Sequence, residues 1–92
     1  MITRVEEGEA VVQGDEVVRA LLTAMATLED LVEVGHDSQS ALSTLEDIAY
    51  ELGRMDSSKR QQFIEVLERV AAEEPGRAVW IRGIPDALGL DR

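Results

Sequence analysis

The chain has 92 residues and no cysteine, with 19 acidic against nine basic side chains and a formal net charge of −10; its pI is near 4.4. A single domain over residues 1–92 is expected, with no disulfide and no thiolate metal site. The acidity argues against nucleic acid as a partner, because phosphate contacts need clustered lysine and arginine, and against anionic membranes; no apolar run nears the roughly 20 residues of a bilayer span.

Residues 1–13 show no helical stripe. Ile2 to Glu7 and Ala10 to Gln13 flank Gly8-Glu9, which reads as a marginal hairpin or a loose tail. Glu6, Glu7 and Glu9 do not fit the basic start and apolar run of a secretory signal. Together with the missing cysteines this suggests the cytoplasm.

The first clear element follows Gly14-Asp15. Val18, Leu21, Met25, Leu28 and Val32 recur at spacings of three and four, which places them on one side of a helix. Asp15 is the expected N-cap and Glu16 suits the first turn. Gly35 is the expected left-handed stop after Val34. Val17, Leu22 and Leu31 lie beside the stripe, so this helix should touch more than one neighbour.

Asp37 and Ser38 are expected to cap a second helix reaching Gly53 or Arg54, with Ala41, Leu45, Ile48, Leu52 and Met55 as its stripe. The short connection predicts an antiparallel helical hairpin. Asp56, Ser57 and Ser58 precede the third helix, and Ser58 with Gln61 fits a capping box. Phe63, Leu67 and Val70 begin its stripe. It should end near Glu74, before Pro75-Gly76. Arg77 to Arg82 reads as a helical turn or an extended arm broken by Gly83, and Ile84-Pro85-Asp86 as the opening of a last turn holding Leu88 and Leu90. The fold class is therefore all-α: a small antiparallel bundle of three main helices plus a short C-terminal helical turn or arm.

Reactive chemistry is sparse. His36 is the single histidine, so a Ser-His-Asp arrangement would need it beside Ser38, Ser40 or Ser43. Those serines read as capping groups, and His36 as a partner of the preceding helix's carbonyl end. A di-iron bundle needs a pair of inward Glu-x-x-His motifs, which a single histidine cannot supply; the alternating oxygens of a calcium loop and the glycine patterns of a phosphate cradle do not occur in the sequence. No enzyme, metal or cofactor is expected.

Gly35-His36-Asp37-Ser38, followed by Leu42, Leu45 and Leu52, resembles the attachment site of acyl and peptidyl carrier proteins, which are small, acidic and helical. The resemblance covers about eighteen residues and implies phosphopantetheine on Ser38. Gln39 stands where carriers usually have leucine or isoleucine, and the first helix runs almost into Asp37, where carriers have a long loop.

Charge and aromatics point instead to binding. Residues 1–76 hold 17 acidic and six basic side chains, a balance of −11, whereas residues 77–92 hold two and three, a balance of +1. Glu29, Asp30 and Glu33 cluster on the first helix, and Glu46, Asp47 and Glu51 on the second. A basic protein is the electrostatic complement. Tyr50 should lie on the outer face near Asp47 and Arg54, as an interface anchor or under another helix. Trp80, between Arg77 and Arg82, caps a partner's or twin subunit's groove, folds back to seal its own bundle, or seals one side while presenting the other. The expected function is a non-enzymatic acidic module, inhibitor, immunity-type or regulatory, that meets a basic protein through Glu29, Asp30, Glu33, Glu46, Asp47, Tyr50, Arg77, Trp80 and Arg82. The alternatives are a homo-oligomeric structural subunit such as a homodimer, or the carrier protein.

Overall fold

The computed structural model describes residues 14–90, so the hairpin or tail expected at 1–13 lies outside the described residues. The elements run α1 (Asp15–Val34), α2 (Ser38–Gly53), α3 (Ser57–Glu73), a 3₁₀ turn (Pro75–Arg77), α4 (Ala78–Arg82) and α5 (Ile84–Ala87). The described residues contain no strand. The all-α bundle read from the periodicity is the fold.

α1 is the central element, packed on α2 along one side and on α3 along another. Its fully buried residues are Val18, Leu22 and Met25, while Leu21, Leu28 and Val32 are half-buried. Val18 and Met25 thus lie on the expected stripe, and Leu22, beside it, is buried where Leu21 was expected. The reason is geometric: two neighbours at different angles split the apolar arc. Leu22 is buried in the core cluster that α1 shares with α3 and the C-terminal arm, and Leu21 lines a cleft against α2.

The core is made by α1, by Phe63, Val66, Leu67, Val70 and Ala71 of α3, and by Ile81, Ile84 and Leu90 of the C-terminal arm. From α2 only Ala41 is fully buried, and Leu45, Ile48 and Leu52 are packed against the rest while staying half-exposed. α2 is thus held on one flank, and its other flank faces outward.

The helix ends follow the expected positions with different chemistry. Gly35 takes the left-handed conformation at φ 74°, which glycine adopts without a Cβ penalty. The Gly35 N–H donates to the Val32 carbonyl and the His36 N–H to the Leu31 carbonyl, the paired bonds of a Schellman stop. It is therefore the backbone of His36 that meets the helix end, and its side chain is exposed. Asp15 is not the N-cap: Gly14 holds that position, and Asp15 is the first helical residue. Its carboxylate is drawn away from the helix terminus by Arg69, whose Nη2 lies 2.7 Å from it. Asp37 does precede α2, but it adopts φ 54° and makes no side-chain cap bond, and Ser38 opens the helix. At α3 the cap is Asp56, which accepts the Lys59 N–H at 2.9 Å. The Ser58–Gln61 box does not form, because Ser58 already lies inside the helix.

Two tethers fix the loops and ends. Arg60 Nη2 donates to the carbonyl of Met55 at 3.1 Å and of Gly53 at 3.4 Å, clipping the α2–α3 turn. Asp15–Arg69 and Arg19 with Glu73 and Glu74 join the start of α1 to the end of α3. The Arg69 hydrogen bond, opposed by partial desolvation, holds the Asp15 carboxyl below its ordinary 3.8. A depressed carboxyl adds stability above the unfolded-state value and loses it as pH falls through the folded-state value. Asp15→Asn is therefore expected to flatten the fall in stability below pH 3.8, read as urea midpoints at stepped pH. An acid limb identical to that of the parent protein would exclude the pair as a contributor.

The C-terminal segment is helical, not an extended arm. Gly83 ends α4 as expected and separates it from α5, but at φ −83° and ψ −9° it keeps the turn tight: its N–H donates to the Val79 carbonyl and its own carbonyl accepts the Ala87 N–H. The segment folds back on α3 and seals the bundle, the second of the roles considered for Trp80.

Candidate functional site

The residues from Ala20 to Gly53 contain seven carboxylates and neither lysine nor arginine. They form all of α1 after Arg19 and all of α2, so beyond that one arginine the charge of the two helices is acidic. The described arginines lie elsewhere, and most are paired. Arg69 meets Asp15, Arg19 meets Glu73 and Glu74, Arg77 meets Glu74 at 2.8 Å and Arg82 meets Glu68 at 3.2 Å. On the hairpin, Glu29, Asp30, Glu33, Glu46 and Asp47 are exposed and make no ion pair among the described residues.

A groove of about 510 Å³ runs between this hairpin and the C-terminal arm. Met25, Leu45, Ile84 and Leu88 give it an apolar floor, and Ala49, Gly83 and Ala87 line its sides with small residues. Glu29 and Glu46 supply its charge. Trp80 forms part of one wall, fixed by an indole N–H that donates to Glu29 Oε1 at 3.0 Å and by the Arg77 guanidinium 5.4 Å from its ring. Val79 stands at the lip, 89% exposed.

Three of the expected partner residues, Glu29, Glu46 and Trp80, thus converge on one groove from α1, α2 and α4. The others do not. Asp47 lines a second, smaller cleft of about 290 Å³ between α1 and α2, with Leu21, Ile48 and Leu52. Asp30 and Glu33 are exposed outside both. Tyr50 is open on the outer face at 68% exposure, so no helix among the described residues covers it. Arg77 and Arg82 are engaged by Glu74 and Glu68, which gives them a role inside the fold. Val79, Ala49 and Leu88 were not singled out from the sequence. The lysine- and arginine-free run from 20 to 53 is the sequence signal that marks the hairpin side of this face; the arm side carries no such signal.

His36 is exposed at the α1–α2 turn and its ring makes no hydrogen bond among the described residues. No three His, Cys, Asp or Glu residues among those described are placed to hold a metal. Ser38 opens α2, and only Gly35, His36 and Asp37 separate it from α1. No described helix is long and apolar enough to cross a membrane.

Compared with known proteins, the chain matches no family model, no curated protein and no solved structure.

Proposed function

We propose that the chain is a non-enzymatic protein-binding module, of the inhibitor, immunity or regulatory kind, that meets a more basic protein with its α1–α2 hairpin. The observation that carries this reading is the segregation of charge: seven carboxylates without lysine or arginine on residues 20–53, against arginines that are mostly neutralised on α3 and the arm. Unpaired like charges on one face raise the local potential and steer an oppositely charged surface into contact. The cysteine-free composition suits a reducing cytoplasm, the compartment we propose.

The test is capture of a partner from the native cell, followed by association kinetics with the purified partner. The association rate is expected to fall by roughly tenfold or more between low salt and about 0.5 M salt, where the Debye length shrinks to roughly 4 Å. Glu46→Lys with Asp47→Lys, both exposed, should slow association at low salt and leave folding intact. Rates indifferent to salt and to the double charge reversal would overturn the reading.

A further inference from the structure

We propose that the groove between α2 and the α4–α5 arm seats one amphipathic helix of the basic partner, an apolar ridge flanked by lysine or arginine. This rests on the basic-partner reading above and adds the site and the shape of the ligand. The argument begins with the lining. Its floor is Met25, Leu45, Ile84 and Leu88, and the two carboxylates Glu29 and Glu46 lie on the hairpin side, with no lysine or arginine among the lining residues. An apolar trough edged by one sign of charge fits a helix whose apolar residues recur at i, i+3, i+4 and i+7 and whose flanks carry the opposite sign. Small residues on both walls, Ala49 on α2 and Gly83 and Ala87 on the arm, let a third helix approach closely. Glu29 Oε1 accepts the Trp80 N–H, which fixes the wall before any ligand arrives and leaves Glu29 Oε2 for an incoming cation.

Val79 adds an independent observation. It is a large apolar side chain left 89% in water at the lip, although Trp80 and Ile81 beside it turn inward. A docked helix would cover it. Charge decides among the occupants. A second copy of this chain brings a net charge of −10 and the same acidic hairpin against Glu29 and Glu46. The chain's own first thirteen residues bring Glu6, Glu7 and Glu9 with one arginine. A helix bearing lysine or arginine meets complementary charge at the same place.

The probe is a displayed library of helical peptides of about five turns, roughly 27 Å long, selected on the full chain and followed by the emission of Trp80, the one tryptophan present. Enriched peptides are expected to carry an apolar ridge with adjacent Lys or Arg and to shift Trp80 emission. They should bind Val79→Asp at least about tenfold more weakly, the loss of one interface anchor, while its thermal midpoint stays at that of the parent because the side chain is exposed. Peptides that are basic without an apolar ridge, or that bind Val79→Asp undiminished, would overturn the groove and leave the acidic-hairpin reading standing. Apolar peptides free of Lys and Arg, or no enrichment at all, would overturn both. A dimer in light scattering that Val79→Asp dissolves would assign the groove to a second copy and overturn the proposal.

Discussion

Replacing Leu22 by alanine is expected to cost the domain about 3 kcal/mol, within the roughly 2–5 kcal/mol of buried leucine truncations. Leu22 is fully inaccessible and belongs to the core cluster shared by α1, α3 and the arm, so the space it leaves is enclosed and cannot collapse easily. The margin is small. A chain of 92 residues has a total stability of roughly 5–14 kcal/mol, and the loss should lower the thermal midpoint by roughly 12–24 °C. Leu21→Ala is the informative control. Leu21 belongs to the regular sequence stripe, yet it is half-buried beside an open cleft against α2 and should cost visibly less. Urea unfolding of the two variants decides the matter. Equal losses, or a larger loss for Leu21, would mean that α1 is rotated from the orientation described.

That contrast also marks what the sequence could reveal. Three- and four-residue spacing identifies each long helix because it follows from helical geometry alone. Gly35 was legible for a similarly local reason: a residue without Cβ, placed just after the last apolar position, has one dominant use. The orientation of α1 was not legible, since its apolar arc is wide enough to serve two neighbours and only their positions divide it between Leu21 and Leu22. The caps failed in the same way. Asp15 is a competent N-cap by residue type, but Arg69, fifty-four positions away, offers it a charge-assisted bond that outbids a backbone N–H. Asp56, Ser57 and Ser58 are adjacent candidates for one job, and their spacing to Gln61 favoured the wrong one.

The groove was out of reach for a related reason. Its walls come from α1, α2 and the arm, and the bond that fixes it joins Glu29 to Trp80 across 51 positions. No local pattern encodes such a meeting. The acidity was legible in total, and the division at residue 76 captured only part of its distribution. The sharper boundary lies at Arg19 and Arg54, the basic residues that bracket the run from 20 to 53, and it coincides with the helical hairpin. Charge patterning reports a surface reliably once the fold says which residues share it.

Ile81→Ala is expected to detach the arm. α4 spans five residues, far below the roughly 12–15 at which an isolated helix holds together in water, so its helicity depends on the bundle. Its polar ties, Arg77–Glu74 and Arg82–Glu68, are partly exposed and contribute little, as surface pairs do. The anchor is apolar: Ile81 is fully inaccessible, with Ile84 and Leu90 almost so. Removing the Ile81 side chain should cost about 3 kcal/mol. The loss should fall on the arm first, because α1 and α3 retain their own contact while the arm loses its central one. Trp80 reports that event directly. In the parent protein its emission and the helical ellipticity should change at one urea concentration, as expected of a cooperative small domain. In Ile81→Ala the emission should change earlier, as the indole leaves Glu29 while the long helices persist. Coincident transitions with a loss below about 1 kcal/mol, the range of surface substitutions, would show the arm to be an appendage. Early detachment would also remove one wall of the groove, so peptide binding should fail in Ile81→Ala at urea concentrations where α1, α2 and α3 are still folded.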